Sequence, residues 1–85
     1  MNYEIFLSKQ ANDFLQKLDV ETRARIRDRL MKLSENPFSI PYKKIKGREN
    51  TYSIRVGKYR IIYTLRREEI WILKIDKRER VYERI

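Results

Sequence analysis

The side chains in this sequence that could do chemistry are arginine, lysine and tyrosine. Its 85 residues include no histidine and no cysteine. Disulfides, thiol nucleophiles, structural zinc and histidine-based acid–base sites are therefore excluded. With only two glycines there is no glycine-rich phosphate loop. The acidic residues are scattered among basic ones and suggest no two-metal carboxylate site. Arginine, lysine and tyrosine suit one reaction class well, cleavage of an RNA phosphodiester by its own 2′-OH. That step needs the 2′-OH deprotonated, the charge on the phosphorane stabilised and the departing 5′-oxygen protonated. Guanidinium groups placed around the phosphate supply much of this electrostatically. The base is the open question, because arginine does not give up its proton.

Spacing singles out Tyr52-Ser53-Ile54-Arg55-Val56-Gly57-Lys58-Tyr59-Arg60-Ile61-Ile62-Tyr63. Alternation puts Tyr52, Ile54 and Val56 on one strand face, and Ser53 and Arg55 on the other. A two-residue Gly57-Lys58 turn, with glycine first as a type II′ turn requires, pairs Val56 with Tyr59. The same register sets Ile54 against Ile61, Tyr52 against Tyr63, and Arg55 directly opposite Arg60. Two like charges so placed cost stability unless an anion sits between them.

The charge distribution agrees with an anionic partner. Of the net +9, residues 42–65 supply +6, from Lys43, Lys44, Lys46, Arg48, Arg55, Lys58 and Arg60 against Glu49 alone. An excess confined to the hairpin and its lead-in points to nucleic acid, an anionic membrane surface or an acidic protein.

The elements that position these residues are legible in order. Tyr3 to Leu7 reads as a first strand. Ser8 caps a helix over Lys9–Leu18, in which Ala11, Phe14, Leu15 and Leu18 form one apolar stripe. Asp19 caps a second helix carrying Ile26, Leu30 and Leu33, with Ala24 and Met31 nearby, and Pro37 ends it. The outer face of that helix, with Arg23, Arg25, Arg27, Arg29 and Lys32, reads as a solvated surface. Tyr42 to Gly47 is a short extended piece. Strands follow at 51–56 and 59–66, then a polar turn at Arg67-Glu68-Glu69 and the most apolar strand, 70–75, expected at the centre with Trp71 in the core. The fold class is α+β, in the order β-α-α-β-β-β, with two antiparallel N-terminal helices on one face of a small, mainly antiparallel twisted sheet. One domain, 1–85, is expected.

The lead-in Lys44-Ile45-Lys46-Gly47, the strand Tyr52-Ser53-Ile54-Arg55, the segment Gly57-Lys58-Tyr59-Arg60-Ile61-Ile62-Tyr63 and the tail Asp76-Lys77-Arg78-Glu79-Arg80-Val81-Tyr82 together resemble the RelE/ParE superfamily of toxin–antitoxin toxins, most of all its RelE branch. The resemblance spans essentially the whole chain. It implies a ribosome-dependent messenger RNA endonuclease without metal or other cofactor, held silent by a cognate acidic, RelB-like antitoxin in a heterodimer or heterotetramer. By position it implies that Arg60 stabilises the phosphate, Arg78 serves the leaving group, and Tyr82 positions or activates the nucleophile. Arg55 stands where RelE has a lysine proposed for proton transfer. Ser53 stands where RelE has a second lysine, which is the main departure. Lys46, Lys58 and Tyr82 are then the candidate bases, and Lys44, Lys46, Lys58 and Arg80 the candidate RNA contacts.

Two other readings stay open: a ParE-like gyrase inhibitor without catalysis, and an RNA-binding module. The N-terminus has no signal-peptide pattern and no run reaches membrane-spanning length, so a cytoplasmic location is expected.

Overall fold

The computed structural model describes residues 2–77, in the order β1 (Glu4–Leu7), α1 (Lys9–Gln16), α2 (Val20–Glu35), β2 (Tyr42–Lys44), β3 (Thr51–Val56), β4 (Tyr59–Arg66) and β5 (Glu69–Lys77). Two helices pack on one five-stranded sheet of order β1-β5-β4-β3-β2. β1 runs parallel to β5, and every other neighbouring pair is antiparallel. The expected α+β class and element order hold, and the short extended piece before the hairpin becomes a strand in its own right. One expectation is corrected: the middle strand is β4, and β5 lies between it and β1. The parallel β1 pairing, which local sequence does not encode, makes β5 an interior strand, and the edge strand β2 beyond β3 leaves β4 in the middle.

Both helices start where side chains satisfy orphan N–H groups. Ser8 Oγ accepts from Ala11 N at 3.1 Å, and Asp19 Oδ2 accepts from Thr22 N at 3.1 Å. α2 ends at Glu35, with Asn36 extended ahead of Pro37, as the steric restriction on a residue before proline requires. The core joins Ala11, Leu15, Ile26, Leu30 and Leu33 of the helices to Ile54, Val56, Ile61, Tyr63, Ile70, Ile72 and Ile75 of the sheet. Ala24 and Met31 turn outward. Arg23 is not merely surface decoration, because its guanidinium donates to Leu15 O (3.1 Å) and Leu18 O (2.8 Å) and so closes the carbonyl end of α1.

β1 pairs with β5 only from Glu69 to Ile72. Past that point, side chains take over the open edge of β5. Ser8 Oγ donates to Leu73 O (2.8 Å), and the Gln10 amide both donates to Ile75 O (2.9 Å) and accepts from Ile75 N (3.1 Å). A glutamine thus imitates one more strand residue and leaves no backbone polar group of Ile75 unpaired.

Two details set the phase of the sheet. Gly57 has φ 59 and no other residue of its turn is left-handed, as a type II′ turn requires. In β5 the register shifts by one residue: Ile62 faces Lys74, while Tyr63 faces Ile72. Leu73 is therefore an extra, bulged residue. The bulge keeps Ile70, Ile72 and Ile75 all on the helix side and sends Lys74 and Asp76 to the other face.

Candidate active face

The face opposite the helices is a grid of cross-strand rows. One row runs Arg55, Arg60, Asp76 across β3, β4 and β5. The next runs Lys43, Ser53, Ile62, Lys74 across β2 to β5. The Arg55–Arg60 opposition expected from the turn is present. Directly opposed Cβ atoms lie about 4.5–5.5 Å apart and diagonal neighbours about 7–8 Å, so the long cationic side chains of both rows reach a common space above the sheet.

The two arginines differ in setting. Arg55 is exposed, and its Nε donates only a long 3.4 Å bond to Gly57 O. Arg60 is half-buried, and its Nη1 donates to Ser53 Oγ at 3.4 Å. Ser53 and Ile62 beneath it are fully buried. Arg60 thus stands on a dry floor, where a guanidinium acts on an anion more strongly than in open water. Ion pairs between described residues are Lys9–Asp13 (3.6 Å) and Lys32–Asp28 (3.9 Å), both on helices. No described carboxylate comes within ion-pairing distance of Arg55 or Arg60.

The lysines divide by face. Lys43 pairs with Ser53 and shares the arginine face, whereas Lys44 pairs with Tyr52 and so belongs to the helix side. Sequence reading named Lys44 and missed Lys43, because the phase of a three-residue edge strand shows only once its partner is known. Lys46 lies in the loop after β2. Lys58, in the hairpin turn, holds its Nζ 5.7 Å from the Tyr59 ring centre, and Tyr59 packs against the core. Arg78, Arg80 and Tyr82 lie outside the described residues. Among the described residues no group of three His, Cys, Asp or Glu stands where it could hold a metal ion.

The tyrosines among the described residues lie on the helix side. Tyr63 is fully buried, and its hydroxyl donates to Pro37 O at 3.0 Å. Burial, with smaller contributions from Tyr52 and Tyr42, raises its pKa well above that of a free phenol, so it is a structural anchor. Tyr52 packs edge-on against Phe38 and Tyr42, at 5.5 and 5.4 Å between ring centres. Trp71 departs from its expected place in the core. It sits on the face opposite the helices, half-buried, stacked 4.6 Å from Phe6, with Nε1 donating to Glu69 Oε1 at 3.0 Å. Its parity in β5 is opposite to that of Ile70 and Ile72, and the core takes those two.

Known proteins share this fold. A family model described as the ParE toxin of the type II toxin–antitoxin system parDE matches residues 5–82. A protein carrying the toxin name RelE1, from Methanocaldococcus jannaschii, is 26% identical over 88 residues, covering 98% of each chain. A chain of the archaeal RelE–RelB complex from Pyrococcus horikoshii superposes with a TM-score of 0.81 at 28% identity, over 95% of this chain and 100% of that one. A chain of the RelBE2 toxin–antitoxin complex from Mycobacterium tuberculosis does so with a TM-score of 0.76 at 28% identity, over 92% and 100%. Helices on one face, a mixed five-stranded sheet and a match along nearly the whole chain make this protein a member of the RelE/ParE superfamily, a toxin–antitoxin toxin of the RelE type.

Proposed function

We propose that this toxin is a metal-independent endoribonuclease that cuts messenger RNA in the ribosomal A site by attack of the 2′-OH, leaving a 2′,3′-cyclic phosphate and halting translation. The observation that carries this reading is the Arg55–Arg60 pair, opposed in register with no described carboxylate at ion-pairing distance. A sheet that holds two guanidiniums side by side, neither ion-paired to a described carboxylate, is suited to receive an anion, and a phosphorane gains more from them than a ground-state phosphate does. In this reading Arg60 and Arg55 grip the scissile phosphate, Arg78 neutralises the leaving group, and Tyr82 positions the nucleophile. Lys43, on the arginine face, holds the flanking RNA backbone together with Lys46, Lys58 and Arg80, and Lys44, on the helix side of the same edge strand, is the least suited to do so. Such groups stabilise charge but do not align a flexible RNA by themselves, so the ribosome supplies the in-line geometry.

Several similar chains of known structure come from RelE–RelB complexes. With a net charge of +9, this toxin is expected to pair with an acidic, RelB-like antitoxin that covers its basic face, in the cytoplasm where message is translated. No described helix is long and apolar enough to cross a membrane.

The test is purified toxin on translating ribosomes, with and without chelator. Truncated message with a cyclic phosphate end, undiminished by chelator and lost in Arg60→Ala and Arg78→Ala, is the expected result. Intact message refutes it. Because the matching family model carries the ParE name, gyrase cleavage complexes are scored in parallel. Their appearance with intact message selects the gyrase-inhibitor reading instead.

A further inference from the structure

The nuclease reading leaves the 2′-OH without a base, and we propose that Asp76 takes that proton. This inference rests on the nuclease reading. Asp76 is the register partner of Arg60, which puts its carboxylate about 5 Å, Cβ to Cβ, from the arginine that faces the phosphate. It arrives there only because of the bulge at Leu73. Without the extra residue, the alternation starting at Ile70 and Ile72 would have buried Lys74 and Asp76 under the helices. Bulges recur beside active sites because they re-aim a side chain in this way.

The carboxylate is also held and half open. Asp76 Oδ1 accepts from Lys77 N at 2.7 Å, which fixes the group, while Oδ2 makes no hydrogen bond or ion pair with another described residue. Asp76 is half-buried, and among the described residues the charged groups facing it are Arg60 across the ladder, Lys74 two residues back on its own strand, and Arg55 one strand further. These cations lower the cost of bringing a carboxylate against a phosphodiester. The other described candidates stand elsewhere. Lys58 lies over Tyr59, Lys44 belongs to the helix side and Lys46 lies off the sheet. Glu4 and Glu69 sit at the opposite end of the grid, where Glu69 is engaged by Trp71.

In the proposed step the Asp76 carboxylate takes the 2′-OH proton as O2′ forms its bond to phosphorus. The P–O5′ bond breaks, and the departing 5′-oxygen takes a proton from a neighbouring donor or water. Asp76, now a carboxylic acid, returns its proton to solvent. No oxidant, reductant or metal is consumed.

The experiment follows single-turnover cleavage of ribosome-bound message against pH for the wild type, Asp76→Asn and Asp76→Glu, with ribosome binding and circular dichroism measured alongside. A positioned general base contributes about 10²–10⁴-fold and gives the rate profile an acid limb. Asp76→Asn is expected to bind ribosomes normally, lose activity by about that factor and lose the acid limb, while Asp76→Glu keeps the limb with a smaller loss. Cleavage by Asp76→Asn at the wild-type rate overturns the assignment. So does a slowed Asp76→Asn that keeps the acid limb, since Asp76 would then only balance Arg60. A wild type that cleaves nothing overturns the nuclease reading and this assignment with it, and that outcome is distinct from the other two.

Discussion

Neutralising Arg60 separates an anion-binding sheet from a merely charged one, because the change should sharply reduce cleavage while leaving stability almost untouched. Arg60→Gln keeps much of the side-chain stem and removes the charge. In the folded protein Arg60 faces Arg55 across the ladder, and directly opposed like charges cost about 0.2–1 kcal/mol. Its bond to Ser53 Oγ is long, at 3.4 Å, and an ordinary neutral bond contributes only about 0.5–1.5 kcal/mol net. The glutamine amide retains part of that bond. Asp76, opposite Arg60 on the other side, contributes a similar amount of the opposite sign, so the expected result in denaturant unfolding at low salt is a change of about 0.5 kcal/mol or less in either direction, smaller still in molar salt. Cleavage on programmed ribosomes should fall by about 10²–10³, the usual loss when one preorganised donor to a developing oxyanion is removed. A substitution that destabilises the fold by more than 1 kcal/mol (on the order of a lost buried bond) would mean that Arg60 is structural. Unchanged cleavage would mean that the phosphate sits elsewhere.

Three further substitutions probe the scaffold and the rim of the site. Gln10→Leu leaves Ile75 N and O without the partners that the amide provides, and should lower unfolding stability by about 1–3 kcal/mol with faster hydrogen exchange at Ile75. Tyr63→Phe removes the bond to Pro37 O and should cost about 1 kcal/mol near neutrality. Because folding raises the Tyr63 pKa, the wild type holds that proton more tightly folded than unfolded. Its stability is therefore complete below the phenol's ordinary range and declines as pH climbs above about 10, a decline that should flatten in Tyr63→Phe. Lys43→Ala should weaken message cleavage about tenfold, the value of one lost charge-assisted contact. Lys58→Ala, whose ammonium lies over Tyr59, should do less, and equal losses would refute the division of lysines by face.

The comparison of sequence with structure shows where each kind of information resides. The caps at Ser8 and Asp19, the stop before Pro37 and the whole 51–66 hairpin were legible, down to Arg55 opposite Arg60. Each depends on turn chemistry or on periodicity within a few residues. The same short-range logic misplaced Trp71 and chose Lys44 over Lys43, because the buried face of a strand is set by what it pairs with. Arg23 looked like one more surface cation until the α1–α2 connection brought the last carbonyls of α1 under it.

By itself, then, the sequence determined the reaction class open to its side chains, the seat of the excess charge and the arginine opposition, all properties of composition and of one tight turn. Only the tertiary structure decided which residues share the arginines' face. The pairing of β2 with β3 delivers Lys43, and the bulge at Leu73 delivers Lys74 and Asp76. Both depend on register between neighbouring strands, which a loop or a bulge resets and periodicity within one strand does not reveal, and one residue of slip exchanges every side chain between core and solvent.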